Sequence, residues 1–327
     1  MQCKYHITLI MRDIGIKIII LLLLICQGCK DETATHQVAK EIEHFDNLIV
    51  NGEIEYKVYY LFGAQDKISR QSEESILYTF ERNNRFVACI DGDKFDYSII
   101  LDGENAVSWF KTDRSCLITN IDSSSFINPL ALYVRCMSTY LKNANIIRIS
   151  KIIKPIPLYR IEFVVNNNWK QKGLYPVQPS LDGEYVELLV DPQKQYLPKH
   201  IGIYNPKNSL LEELYVESYR IDGNGFWFPA KMTHKNYSDG NERRLYLETK
   251  FDIINMRFND NIVLSDVINN IKFPIGTIIS DNRKKELQVE KMIAKYEVLK
   301  PITFYELINT QIAFEQGKIV LVGHIQR

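Results

Sequence analysis

Little in this chain is arranged for bond-breaking chemistry. Of its six histidines, His36, His44, His200, His234 and His324 follow the first thirty residues and lie far apart. One helix could show His36 and His44 on the same face, but two imidazoles lack the remaining ligands of a zinc site. Glu73 and Glu74 are adjacent carboxylates. Neighbours on a strand point to opposite faces, so an exposed edge explains them better than a paired acid and base. There is no Gly-x-Ser-x-Gly, no His-Glu-x-x-His and no phosphate loop. The expectation is a protein that is not an enzyme and holds no metal or cofactor. A hydrolase built from scattered residues is the alternative.

Cys29 carries a clearer chemical expectation. Arg12 and Lys17 precede an apolar run from Ile18 to Cys26, and Gly28 stands directly before Cys29. A charged start, a short apolar core and a small residue before a cysteine form the layout of a bacterial lipoprotein signal. The apolar core is too short to span a bilayer, which takes about 20 residues. The expected signal is 1–28, with Cys29 as the lipid anchor. The protein is then exported and held on a membrane of the cell envelope, with the periplasm-facing outer membrane as the expected place. An ordinary secretory signal and an uncleaved anchor are the alternatives. Cys89, Cys116 and Cys136 remain. They allow one disulfide with a free thiol, or three buried thiols, and their wide spacing excludes a compact zinc site.

Composition narrows the partners. Lys plus Arg and Asp plus Glu are 40 each, so there is no basic field for nucleic acid. Hydrophobic residues at 46% and charged residues at 24% describe an ordinary globular chain. Aromatic residues at 11% gather on the segments that alternate, including Tyr56, Tyr60, Phe62, Tyr78, Phe80, Trp109, Phe110 and Phe226–Phe228. They make either a filled sheet core or the wall of an apolar cavity, where each buried methylene of a ligand is worth about 0.8 kcal/mol.

The elements that must position these side chains are mostly strands. Residues 31–48 read as a helix that stops at Asn51-Gly52. From Ile54 to Phe62 the chain alternates, with Ile54, Tyr56, Val58, Tyr60 and Phe62 on one face. Asp91-Gly92 and Asp102-Gly103 punctuate the next hairpins. Ser125–Ala144 reads as a helix begun near Pro129, whose Leu130, Leu132, Val134, Met137 and Leu141 need cover. Strands resume at Ile147–Ile153 and Leu158–Val165. After a loop, Tyr185 to Phe258 is a second meander. No helix of crossover length separates its strands. The tail carries a helical stretch near Phe304–Phe314 and a strand at Lys318–Ile325.

Four turns in this order resemble those of outer-membrane lipoprotein carrier and receptor proteins, the LolA/LolB-like fold. They are Asp102-Gly103 followed by Trp109-Phe110, Val190-Asp191-Pro192 followed by Leu197-Pro198, Asp222-Gly223 followed by Phe226-Trp227-Phe228-Pro229, and Phe273-Pro274 followed by Gly276-Thr277. The resemblance spans about Glu41–Asp281. It implies a mainly β (α+β) fold, a large curved antiparallel sheet or incomplete β-barrel with helices packed across its concave face. The implied domain is 29–281, with 282–327 as a C-terminal extension. The implied ligands are lipid or lipoprotein acyl chains, in a cavity lined by Tyr56, Val58, Tyr60, Phe62, Tyr78, Phe80, Leu130, Val134 and Phe228. The expected role is lipoprotein sorting or transport. An envelope sensor or protein-interaction module without cargo, whose protein partner is unknown, is the alternative on the same fold.

Overall fold

The computed structural model describes residues 37–64, 67–81, 85–92, 96–103, 105–120, 141, 144–152, 156–165, 185–238, 244–283 and 292–326. Cys29, Cys136, Leu130 and Val134 lie outside these residues; of the expected Ser125–Ala144 helix only Leu141 and Ala144 are described, and Ala144 opens a strand instead of closing the helix.

Helix α1 occupies 37–48. Val38 and Ile42, one turn apart, are buried, which gives the helix a single apolar stripe. Its exit is clamped by Asn259. The Asn259 side-chain oxygen accepts from the Val50 amide at 2.7 Å, and its amide donates to the Leu48 carbonyl at 2.7 Å. Gly52 follows because nothing larger fits. A Cβ there would sit 2.6 Å from the Phe258 ring and 2.8 Å from the Phe80 ring.

Two meanders make the sheet. The first is β1 (Asn51–Ala64), β2 (Lys67–Glu81), β3 (Arg85–Gly92), β4 (Asp96–Asp102), β5 (Asn105–Phe110) and β6 (Ser115–Asn120). The second is β7 (Ala144–Ile152), β8 (Leu158–Val165), β9 (Tyr185–Asp191), β10 (Leu197–Tyr204), β11 (Leu210–Ile221), β12 (Trp227–Tyr237) and β13 (Leu245–Phe258). Antiparallel pairing of β1 with β13, from Gly52 opposite Phe258 to Phe62 opposite Leu247, joins them.

The chain then forms α2 (Leu264–Asn270), β14 (Lys272–Phe273), β15 (Ile278–Asp281), β16 (Met292–Val298), β17 (Ile302–Thr303), α3 (Phe304–Ile308), α4 (Thr310–Glu315) and β18 (Ile319–Gln326). β14 and β17 pair with each other. β15 adds in parallel to β6, and β16 and β18 continue from it. The expected boundary after Asp281 thus falls between two paired strands, with Asp281 opposite Ala294.

The result is one sheet of 16 strands with β18 at one edge and β7 at the other. The edges do not pair, so the sheet is not closed. Apart from β15 against β6, every pairing is antiparallel. Neighbouring strands in such sheets are rotated by about 20° on average, and open sheets beyond about ten strands curl or split.

Two cores lie on opposite faces. On the inner face, under α1, Ile54, Tyr56, Val58, Ile76, Tyr78 and Ile90 pack with residues of β8–β13 such as Ile161, Leu188, Val216 and Phe251. On the outer face of β3–β6, Val87, Ile100, Val107 and Ile118 pack with Leu264, Phe273, Val298, Phe304 and Ile319. No helix among the described residues is long and apolar enough to cross a membrane.

Candidate functional site

The inner face is where the sequence places a ligand, and β1 is its spine. Ile54, Tyr56 and Val58 are fully buried there, Tyr60 is half-buried, and Phe62 is 38% exposed. The face grades along the strand from closed to open. Around the buried end the aromatics interlock. Tyr78 and Phe80 ring centroids are 5.5 Å apart, Tyr78 and Phe86 are 5.3 Å apart, and Phe228 and Phe258 are 5.4 Å apart. Such contacts favour offset or tilted rings. Five of the expected cavity residues, Tyr56, Val58, Tyr78, Phe80 and Phe228, therefore stand together in one buried cluster.

The margin of this floor is aromatic too. Tyr60, Tyr97, Tyr159, Tyr196, Tyr219, Phe226 and Trp227 are partly buried against it, with Ile149. Phe45 of α1 stacks on Tyr196 at 6.1 Å, and Tyr196 stacks on Tyr159 at 6.1 Å. The helix is thus tied to the margin of the face as well as to its floor.

Polar groups enter at the Tyr60 end. The Tyr60 hydroxyl donates to Glu74 Oε2 at 3.1 Å. Register explains the meeting: Val58 lies opposite Glu74 and Tyr60 opposite Ser72, so Glu74 is one diagonal step from Tyr60 on the same face. Desolvation raises the Glu74 carboxyl above its ordinary value, opposed by the Tyr60 hydrogen bond. Burial, then Glu74, pushes the Tyr97 phenol up to about 12. Burial and Glu74 also raise Tyr60. These phenols therefore stay protonated and able to donate at neutral pH. Further along the same band, Tyr60 lies opposite Thr249, and Thr249 lies opposite His234. His234 Nε2 is 3.1 Å from Glu212 Oε2.

Sequence reading alone missed Glu74, Tyr97, His234 and Glu212. Alternation separates Glu73 from Glu74, as it must. Glu73 turns outward to a 2.7 Å pair with Lys57, whereas Glu74 turns inward to Tyr60. The available signal was a carboxylate in phase with Ile76, Tyr78 and Phe80. His234 was equally in phase with Met232 and Phe228.

The other candidates fall elsewhere. His44 packs edge-on against Phe45, and His200 pairs with Glu213 at 3.1 Å. Cys89 and Cys116 are free thiols. They occupy one cross-strand row, Cys89–Ser98–Trp109–Cys116. Three strand spacings, about 14 Å, separate them, beyond disulfide reach. Among the described residues no group of three or more His, Cys, Asp or Glu side chains could hold a metal ion.

The four turns that carry the family resemblance each do structural work. Asp191 accepts from the Gln193 amide at 2.9 Å, Asp222 ties its own turn to β13, and Thr277 donates to the Pro274 carbonyl at 2.7 Å. Gly276 has φ +81, a conformation glycine reaches without strain. Trp109 packs on Phe273 at 5.0 Å.

No family model and no curated protein matches the chain. Among solved structures, the chain is similar to a Vibrio parahaemolyticus domain described as an outer-membrane lipoprotein-sorting protein. The identity is 12%, the TM-score is 0.47, and 70% of this chain and 94% of that one are covered. It is similar to a LolA superfamily protein from Nitrosomonas europaea, at 10% identity and TM-score 0.45, over 69% of this chain and 94% of that one. A DUF1329 family protein from Desulfovibrio piger matches at 16% identity and TM-score 0.45, over 71% and 94%. The fold family that the four turns resemble is thus named among the structures this chain is similar to, and at these scores the likeness carries no argument about what it binds.

Proposed function

We propose that this protein is an exported, membrane-anchored lipoprotein of the cell envelope whose inner face holds lipid or lipoprotein acyl chains. The observation that carries this reading is the half-buried aromatic margin around a largely apolar floor. An acyl chain lying along the open end of β1 would bury methylenes against half-buried Tyr60 and exposed Phe62, each methylene worth about 0.8 kcal/mol. The expected wall residues Leu130 and Val134 would close the slot from the 125–141 segment. Cys29 would hold the protein on the membrane, with the periplasm-facing outer membrane as the proposed location.

The test is extraction and titration. The detergent-purified full chain should release lipid to organic solvent, detected by mass spectrometry. After delipidation it should bind a fluorescent fatty acid saturably. A chain that carries no lipid and never binds the probe sinks the reading. Cys29→Ser should leave the protein uncleaved or released from the membrane, and continued fatty-acid labelling of that variant would remove Cys29 as the anchor.

A second reading, an interaction module without cargo, draws on the outer face. There Glu213, Tyr215, Glu217, Thr233, Lys235, Glu248 and Lys250 line a groove of about 460 Å³. Interleaved charges of both signs suit a polar protein segment better than a lipid. Under this reading the inner face is simply a filled core and the fatty acid finds no site.

A further inference from the structure

Among the described residues Glu74 has no cation beside it, which a desolvated carboxylate ordinarily has. It makes one described hydrogen bond, with Tyr60, and none of the ion pairs among the described residues includes it. The lysines nearest in the pairing, Lys57 and Lys250, sit on alternate positions of β1 and β13 and engage Glu73 and Glu248 on the outer face. Around Glu74 the inner face offers phenols instead. Tyr56, Ile76, Ile90 and Tyr97 form one cross-strand row. The adjoining row is Val58, Glu74 and Gly92. Gly92 has no side chain, so nothing from β3 stands between Glu74 and the Tyr97 side of the face.

A second observation is independent of the carboxylate. The Tyr56 hydroxyl is buried, in a residue 1% exposed, and has no hydrogen-bond partner among the described residues. It lies within electrostatic reach of Tyr60, Tyr78, Tyr97 and Glu74. An unpaired buried hydroxyl is costly and rare in native structures. Three phenols, one of them without a partner, and a carboxylate that has a hydrogen bond from Tyr60 but no ion pair among the described residues are complementary to a positive group with N–H donors. A cation gains from aromatic rings as well as from the carboxylate, and the same surroundings repel phosphate and fatty carboxylate.

We propose that Glu74, Tyr56, Tyr60 and Tyr97 form a subsite for an ammonium group at the end of an alkyl or acyl chain. The chain lies on the apolar floor, and the ammonium donates to Glu74 and to the Tyr56 oxygen. This rests on the reading that the inner face takes an acyl chain, and it adds which polar end that chain carries.

Competition against a neutral fluorescent apolar probe, on the delipidated full chain in detergent-free buffer, tests it. The competitors are dodecylammonium, dodecanol and dodecanoate, each below its micelle concentration. Dodecylammonium should compete about tenfold better than dodecanol, and dodecanoate should be the weakest. Ethanolamine, which has the cation without the chain, should compete at least about a hundredfold more weakly than dodecylammonium. In Glu74→Gln, which keeps the shape and an acceptor for Tyr60, dodecylammonium should fall to the level of dodecanol. Tyr56→Phe should weaken dodecylammonium severalfold and leave dodecanol unchanged, while melting no lower than the parent.

Equal binding of all three chains overturns the ammonium subsite and leaves the acyl-binding reading standing. So does an amine preference that survives Glu74→Gln in a variant that melts normally. Ethanolamine competing as well as dodecylammonium overturns the chain-borne ligand. Failure of every competitor and of the probe overturns both readings.

Discussion

Asp222 satisfies three backbone amides with one carboxylate. Oδ1 accepts from Asn224 at 3.0 Å and Phe226 at 2.8 Å, and Oδ2 accepts from Phe258 at 3.0 Å. The side chain therefore closes its own turn and fastens that turn to the last strand of the second meander. Asp222→Ala leaves the Phe258 amide buried and unpaired and should cost about 2–4 kcal/mol in urea denaturation. Asp222→Asn, which keeps one acceptor oxygen, should cost less. Glu74 acts in the opposite sense. Desolvation raises its folded-state value above the unfolded one, so the folded protein holds that proton more tightly. Its contribution to stability is present below the unfolded value and is lost as pH rises through the folded value. At neutral pH the ion is a burden. Glu74→Gln should therefore raise the melting temperature at pH 7 and leave it nearly unchanged at pH 4. A gain of the same size at both pH values would show that charge is not the cause.

At the scale of elements, legibility followed local pattern. β1 alternates over its whole length, and β8 begins and ends where the Ile/Tyr/Phe-rich segment does. The Asp-Gly turns at 102–103 and 222–223 sit where chain reversal needs them. Elements whose support comes from far away were not legible. β6 is six residues, and its outer partner β15 joins it in parallel from more than a hundred residues later; a parallel neighbour leaves no local signature. α2 has no side-chain cap of its own. The Leu264 amide at its start donates to Glu81 Oε1 at 2.9 Å, across the fold. β16 begins beside the charged run after Arg283 and looks like part of it. The site was half legible for the same reason. Tyr56 and Val58 follow from alternation, whereas the partnership of Tyr60 with Glu74 depends on the β1–β2 register. α1 was legible as a helix, although of its expected apolar positions only Ile42 is buried within it, beside Val38, while Leu48 is exposed; its docking is testable. Ile42 is 2% exposed under the inner-face core, so Ile42→Ala should cost about 2–5 kcal/mol. A loss below about 1 kcal/mol, read by thermal or urea unfolding, would mean that α1 rests loosely on the face.

The whole molecule turns on the three strands, β3 to β5, that serve both cores. Along β3 and β4 the side chains alternate between them. Ala88 and Ile90 face inward while Val87 faces outward, and Ile99 and Leu101 face inward while Ile100 faces outward. β5 does the same with Ala106 and Val107. A strand buried on both faces needs cover on both, and here the outer cover comes from the end of the chain. Val298, Ile302, Phe304, Leu307, Ala313 and Ile319 are each at most 2% exposed against that face. α3 is set in place by a capping box in which Thr303 and Glu306 satisfy each other's amides, and Lys318 pairs with Glu306. The described residues from Val298 to Ile319 are thus structural cover for the sheet that forms the candidate site. A chain ended at Asp281 keeps Leu264, Ile268 and Phe273 but loses Val298, Phe304, Leu307 and Ile319 from this core, and should expose a large part of it as an apolar patch, the condition for association and aggregation. It should be recovered insoluble, or soluble without a cooperative melt. Within the full chain, Phe304→Ala should cost about 3–5 kcal/mol while acyl-probe affinity, measured well below the melting temperature, stays at the parent value, because the inner face is untouched. A soluble, cooperatively folding 1–281 chain would show instead that the outer face tolerates exposure and that the tail is an appendage.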